Sequence, residues 1–367
     1  MMSGRIVLFG ATGYTGEMTA RVLVARGAKP VLAARSAERL ERLADDLGGL
    51  ETQVADVERP ETVRVLVQDR DVLVSTVGPF LRWGAPAIDA AIDAGAVYID
   101  STGEPAFIRR VFEHYGRRAE RTGASLLPAF GYDWVPGNLA GALAISEAGR
   151  EATRIQIGYF GQGAAGRSGG TQASLISALL EPSFAFRGGQ LRTERLGARV
   201  REFNLGDSRR RLAISVGASE HLALPALHPQ LRQVDVLLGM DGAYVRYMPV
   251  ISAVVAGATA LAPARAALET VLGRQAKGST GGPDEAARSR SSSTVLATTY
   301  TPDGRERSAV RLEGVNSYTF GFEMLAWAAI AAAAGKVNGP GALGPVAAFG
   351  LNELEAGVRA AGIDRVR

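Results

Sequence analysis

The sequence predicts an α/β protein: a doubly wound parallel sheet with an inserted α+β second domain. Three observations predict it. Over the first 130 residues, short apolar runs alternate with amphipathic helical stretches, the pattern of a parallel sheet covered by helices on both faces. A glycine-rich turn follows the first apolar run and opens the first helical stretch. From about Tyr132 the alternation stops, and longer strand-like runs follow one another without a helix between each pair. At 367 residues the chain has room for roughly two domains of about 150 residues each.

The strand-like runs of the first part are Arg5–Phe9, Pro30–Ala34, Glu51–Ala55, Val72–Thr76, Val97–Asp100 and Ser125–Ala129. Helical patterns lie between them at Gly16–Arg26, Ala37–Leu47, Glu61–Val67, Pro86–Ala94 and Phe107–Thr122. Gly27, Gly48, Gly95 and Gly123 stand where a left-handed residue would close a helix. In the second part, strands are expected at Arg154–Phe160, Val200–Phe203, Arg211–Val216, Val234–Leu238 and Ala243–Met248. Residues 273–293 are Gly/Ser/Arg-rich and aperiodic, which predicts a mobile surface loop. Thr294–Thr301 and Glu306–Gly314 predict a hairpin, because Thr301-Pro302-Asp303-Gly304 holds the residues a tight turn needs. Phe320–Ala334 predicts a buried helix, and Leu351–Ala361 a terminal one. The expected division is 1–131 plus 335–367 for the first domain and 132–334 for the second.

Composition excludes several chemistries. The chain has no cysteine, and its histidines are His114, His221 and His228 only. Disulfides, thiol nucleophiles and cysteine-ligated metal centres are therefore ruled out, and no His-x-x-x-His pair exists to build a histidine metal site. No metal is expected. Absence of cysteine fits a reducing, cytoplasmic setting. A net charge of +4 is weak for a nucleic-acid binder, so no nucleic-acid partner is expected. The apolar run Ile6–Phe9 stops at Gly10, too short for a signal-peptide core. Met248–Pro263 and Met324–Ala334 fall short of the ~20 residues a spanning helix needs. A buried helix is the expected reading of Met248–Pro263, and peripheral membrane contact is its alternative.

The turn Gly10-Ala11-Thr12-Gly13-Tyr14-Thr15-Gly16 carries the clearest chemistry. Gly10 and Gly13 let the backbone turn tightly and approach a phosphate with no Cβ in the way. Gly16 lets the helix lie close to the strand. The helix N-terminus then offers free N–H groups and a positive dipole end to a pyrophosphate. The strand before it, the helix after it and the strand–helix–strand unit it opens are the context of a Rossmann-type dinucleotide site. Cofactors with a free ribose 2′-hydroxyl are held by an acidic residue after the second strand. Here that strand ends Ala33-Ala34-Arg35-Ser36, and Arg35 presents a planar fork suited to a 2′-phosphate. Ser36 adds a hydroxyl and Arg39 lies a helical turn farther on, so the expected cofactor is NADP(H). Asp56, ending the third strand, is placed either near the adenine or as a cap of the next turn.

Further polar segments sit at the carboxyl ends of strands, where open sheets bind ligands. Thr76-Val77-Gly78-Pro79 follows the fourth strand and is placed to pass beside the nicotinamide ribose. Asp100–Glu104 follows the fifth, and Gly131–Gly137 follows the sixth and enters the second domain. Tyr132 and Asp133, with Glu104 behind them, are the candidate proton donors or substrate-orienting groups. Helix capping by Asp133 and interdomain packing of Tyr132 are the competing readings.

Gly10–Gly16, Ala33–Ser36, Thr76–Phe80 with Gly84, Tyr98–Glu104, Phe130–Gly137 and Gly339–Gly350 together resemble the saccharopine dehydrogenase-like oxidoreductases. Within that family they are most similar to the bacterial branch containing the trans-acting enoyl reductases. The likeness covers the first 140 residues well, the last 30 moderately and the middle poorly. It implies a Rossmann domain with an inserted α/β domain, NADPH-linked reduction of a C=C, C=N or C=O bond in a small-molecule or lipid/polyketide-type substrate, and a homodimer. Extended short-chain dehydrogenases share the glycine pattern but need Tyr-x-x-x-Lys. The residues four before Lys29, Lys277 and Lys336 are Ala25, Gly273 and Ala332, so that mechanism is excluded. A catalytically silent NADP-binding sensor or scaffold is the alternative of another class, because function lives in the site and not in the fold.

Overall fold

The computed structural model describes residues 4–163, 168–169, 181–206, 210–259 and 281–366. Two sheets organise them. The first is built from β1 (Ile6–Phe9), β2 (Val31–Ala34), β3 (Thr52–Val54), β4 (Val72–Ser75), β5 (Val97–Asp100) and β6 (Ser125–Leu127). The second contains β7 (Arg154–Gln162), β8 (Ser183–Arg187), β9 (Gln190–Glu194), β10 (Val200–Asn204), β11 (Arg210–Ser215), β12 (Gln233–Met240), β13 (Ser292–Tyr300) and β14 (Glu306–Val315). Near the end of the chain, β15 (Gly341–Ala342) joins the first sheet and β16 (Ile363–Val366) the second.

The first sheet is parallel throughout, in the order β15-β6-β5-β4-β1-β2-β3. Chain order reverses between β1 and β4, the switch point at which such sheets bind ligands beyond their carboxyl ends. Strand residues alternate between two cores. Val7, Phe9, Val31, Leu73 and Tyr98 pack on the helices at Pro60–Arg64, Ala85–Ala94 and Gly116–Thr122. Leu8, Leu32, Val74 and Ile99 face the opposite layer, which merges with the core under the second sheet.

The second sheet runs β10-β11-β12-β7-β13-β14-β16, with β8 and β9 branching from β12. All its pairs are antiparallel except β12 with β7. One helix, Val135–Ala148, is buried on nearly every side and packs against β7, β13 and β14 of the second sheet and against the helices Glu220–Leu227, Pro345–Phe349 and Leu351–Ala360.

Several elements differ from the expectations. The Ser317–Ala333 helix falls in the stretch assigned to the second domain, yet it packs on the Tyr14–Ala25 helix and on β4 and β5 of the first sheet. Its run of alanines permits that close approach. The 335–367 tail divides: β15 pairs with β6, but β16 pairs with β14 in the second sheet. Ala243–Tyr247 is a short 3-10 turn and no strand, since it leads directly into the helix Met248–Thr259. That helix is not buried. Val250 and Val254 are 65% and 67% exposed, so its apolar composition is not matched by a packing partner among the described residues. Residues 260–263 lie outside the described part.

The expected loop at 273–293 is ordered where it is described: Glu285–Ser289 is a helix capped by Asp284, and β13 starts at Ser292. Residues 273–280 lie outside the described part. The hairpin β8–β9 was not anticipated, although Phe184 and Phe186 alternate ahead of Gly188-Gly189, a recognisable turn pair. The helix expected at Phe107–Thr122 spans Pro105–Thr122 with a π-helical turn at Val111–Tyr115.

Candidate functional site

A cavity of about 270 Å³ opens at the carboxyl ends of β1, β2, β3 and β4. It is lined by Gly10, Thr12, Gly13, Arg35, Asp56, Thr76, Val77 and Gly78, together with Phe9, Ala34, Ala55, Val57, Glu58 and Trp83. Gly10 takes a φ of 90°, and a Cβ there would lie 2.6 Å from Thr76 Oγ1. Only glycine satisfies both the conformation and the space. At Gly16 a Cβ would meet the Gly10 carbonyl oxygen at 2.2 Å, so this glycine permits close helix–strand packing. The Tyr14–Ala25 helix begins with Gly13 as an extended N-cap and no side-chain cap, which leaves its first amides free for a ligand.

The remaining predicted cofactor residues lie outside this lining, on the segments that carry it. Ser36 caps the Ala37–Asp46 helix, accepting from the Arg39 amide at 3.4 Å. Arg39 donates to the Thr12 carbonyl at 2.5 Å and so braces the glycine turn. Arg35 is exposed at the cavity and forms no ion pair among the described residues, which leaves its fork free. Asp56 lines the cavity, and its Oδ1 accepts from the Glu58 amide at 3.0 Å, the bond of a cap on the next turn. Thr15 lies in the first helical turn, and Pro79 precedes the short Phe80–Trp83 helix. Tyr14 points elsewhere: its hydroxyl donates to the Pro283 carbonyl at 2.5 Å and accepts from Arg288 at 3.0 Å, tying 283–288 across the turn. Free helical amides, a glycine cradle and an unpaired guanidinium are a donor set that fits a dinucleotide bearing a 2′-phosphate.

Beyond Gly78, three strand ends converge. Glu104 is buried and its two carboxylate oxygens accept from the Phe80 and Leu81 amides at 2.7 and 3.1 Å. Both oxygens therefore help hold the turn after β4, behind Tyr132 and Asp133. Asp100 Oδ1 accepts from the Thr102 and Ala129 amides at 2.9 and 2.8 Å, linking β5 to the segment after β6. Burial pushes Asp100 up to about 7.

Tyr132 and Asp133 enter from that segment. Asp133 is partly buried with its carboxylate against Gly103, where a Cβ would lie 3.1 Å from Oδ2. Burial raises it to about 6, so about a tenth of molecules carry its proton at pH 7 and more do at lower pH. The Tyr132 ring meets Tyr159 and Phe320 edge-on at 5.6 and 6.1 Å. Its hydroxyl is buried and is pushed above its ordinary range by that burial. Asp133 does not cap the next helix: Trp134 holds the N-cap position without a side-chain bond.

Sequence reasoning missed Val57, Glu58 and Trp83 in the cavity wall, and a buried acid, Glu220, behind Tyr132. Trp83 lies one helical turn beyond Pro79, which could have marked it. Nothing local marks Glu220. Among the described residues no group of His, Cys, Asp and Glu is arranged to hold a metal ion.

Comparison with known proteins agrees with this geometry. The family model for the saccharopine dehydrogenase NADP-binding domain matches residues 6–127. A putative trans-acting enoyl reductase of Mycobacterium tuberculosis is 37% identical over 187 residues, 47% of this chain and 44% of its own length. A trans-acting enoyl reductase of Mycobacterium ulcerans is 39% identical over 140 residues, 36% of this chain and 34% of its own length. The chain thus matches less than half the length of these relatives. Apo saccharopine dehydrogenase (L-Glu forming) from Saccharomyces cerevisiae superposes with a TM-score of 0.63 at 12% identity, over 99% of this chain and 100% of the yeast one. Residues 6–127 therefore match the saccharopine dehydrogenase NADP-binding domain, and the chain shares the fold of the yeast saccharopine dehydrogenase.

Proposed function

We propose that this protein is an NADPH-dependent reductase of an activated C=C bond in a small-molecule or lipid/polyketide-type substrate. The observation that carries the reading is the convergence of Gly78, Gly103 and Asp133 at neighbouring strand ends, beyond a glycine cradle fitted to a dinucleotide. The names of the matched relatives favour C=C over C=N or C=O. NADPH bound in the cavity would supply the hydride.

This chain's residues do the rest. Gly10, Thr12, Gly13 and the first helical amides hold the pyrophosphate, with Tyr14, Thr15 and Gly16 shaping that turn. Arg35 and Ser36 take the 2′-phosphate, Arg39 steadies the loop and Asp56 borders the adenine side. Thr76, Val77, Gly78 and Pro79 form the wall on the nicotinamide side, fixed from behind by Glu104. Asp133 holds the proton that the reduced carbon must receive, and Tyr132 excludes water from that side. The second sheet provides the substrate-facing half and the surface for pairing two chains, which light scattering would report as a homodimer.

The test follows NADPH absorbance with crotonyl-N-acetylcysteamine thioester, then with imine and ketone panels. Asp133→Asn should lower turnover about 10²-fold or more while leaving NADPH affinity intact. Tight NADPH binding with no oxidation of it across all panels would replace this reading with a silent sensor or scaffold.

A further inference from the structure

Behind Tyr132 and Asp133 lies a second acid that the proposed chemistry does not use. Glu220 starts the helix Glu220–Leu227, is fully buried, and accepts from the Tyr159 hydroxyl at 2.6 Å through Oε1. The same hydroxyl accepts from the Gly137 amide at 2.8 Å, in the first turn of the Val135–Ala148 helix. A Cβ at Gly137 would lie 2.0 Å from that hydroxyl and 2.3 Å from Glu220 Oε1. Glycine at 137 therefore exists to admit the Tyr159–Glu220 pair. The Tyr159 ring in turn contacts Tyr132 and Trp134 edge-on at 5.6 and 5.2 Å.

Polar satisfaction around the pair is incomplete. Glu220 Oε2, Trp134 Nε1 and Asn138 Oδ1 are all buried without a hydrogen-bond partner among the described residues. Native interiors leave few such atoms, and a cluster of them flanking a candidate site calls for a functional explanation. No arginine or lysine faces Glu220 within this set. The groups that do are Asp133 and Tyr132 from the segment after β6, Tyr159 from β7, and Asn138, whose amide bonds Ser219 at 2.9 Å. His221, next on the helix, is buried and neutral, lowered to about 4, and is influenced by Asp235 and Arg187.

We propose that Glu220 is a positioning residue of the site: bonded to the Tyr159 hydroxyl, it holds that ring against Tyr132 and Trp134 and so keeps the Tyr132-Asp133-Trp134 segment in register. The inference rests on the reductase reading for its consequence, but not for its physics. Burial, reinforced by the charge of Asp133, raises Glu220 to about 8. Two carboxyl groups crowded in one apolar site do not both ionise readily, and the more deeply buried one keeps its proton. When Glu220 ionises, Tyr159 must support a buried negative charge instead of a neutral acid, and Asp133 meets a second one.

Two readouts test this. Carbon-13 NMR of the side-chain carboxyls in the full chain should show one Glu resonance titrating near 8, absent in Glu220→Gln and shifted to lower pH in Asp133→Asn. An ordinary carboxylate titration for Glu220, or no shift in Asp133→Asn, overturns the proposal. With crotonyl-N-acetylcysteamine thioester, wild-type kcat should fall about tenfold per pH unit above about 6 as Asp133 loses its proton and bend downward again above about 8, and Glu220→Gln should remove the second bend because the amide mimics the protonated acid. Tyr159→Phe should lower kcat while leaving NADPH affinity unchanged. If wild type turns over but Glu220→Gln keeps the same high-pH limb, this inference fails and the reductase reading survives. If no substrate turns over yet the carboxyl titrates near 8 and responds to Asp133→Asn, the pair stands and the reductase reading fails.

Discussion

Arg35 and Glu104 show how far a single residue can be read before its neighbours are known. Arg35 was legible because an arginine at the end of the second strand, with no acid beside it, has few other reasons to recur in that geometry. The structure leaves it exposed at the cavity and unpaired among the described residues. Arg35→Ala should weaken NADPH binding about ten- to a hundredfold and NADH binding hardly at all, as fluorescence titration of each cofactor would show. Glu104 was legible only as an acid near the site. Its engagement with the Phe80 and Leu81 amides depends on the spacing of β4 and β5, which no local pattern encodes. Glu104→Ala leaves two buried amides unpaired and should cost about 1–3 kcal/mol in thermal unfolding. It should also raise the NADPH dissociation constant, because the turn at Gly78 loses its anchor.

At the scale of elements, periodicity and turn chemistry located most of the first sheet, since each strand there is a short apolar run bounded by glycine or a polar cap. What they could not give is which layer a helix joins. The Ser317–Ala333 helix is apolar nearly all round, so its sequence has no face to read, and it ends up against the first sheet although the hairpin leading into it is in the second. The Met248–Thr259 helix shows the opposite error: similar composition, but exposed. Burial is a property of partners, and composition does not specify them. The C-terminal helix Leu351–Ala360 is held on this layer through Gly357, where a Cβ would lie 2.4 Å from the Trp327 ring. Trp327 is itself fixed edge-on to Phe349 at 4.8 Å. Gly357→Ala should therefore destabilise the protein by about 1–3 kcal/mol in chemical denaturation, with the loss concentrated in hydrogen-exchange protection of that helix.

Across the whole molecule, the junction of the two sheets concentrates buried acids, and this sets how stability responds to pH. Burial raises Asp133, Asp100 and Glu220 to about 6, 7 and 8. Each binds its proton more tightly folded than unfolded. Their contribution is complete below the ordinary carboxyl range and is lost as pH rises through those values. His221 acts at the other end: lowered to about 4 by burial, it costs stability as pH falls from its usual 6.5 toward 4. Unfolding free energies measured at about pH 5 and about pH 9 should differ less in Glu220→Gln than in wild type, because the amide no longer titrates. An unchanged difference would show that the decline at alkaline pH arises elsewhere. No helix among the described residues is long and apolar enough to cross a membrane.

The sequence by itself determined the parallel sheet, the glycine cradle and the preference for a 2′-phosphate. These depend on contacts within about 30 residues, where spacing and residue type suffice. The tertiary structure alone decided that Glu104 supports the site from behind, that one helix crosses to the other sheet, and that Glu220 lies against Tyr159 beside Asp133. These juxtapositions join residues that no local spacing pairs, and their energetics come from desolvation, which exists only once the chain has closed around them.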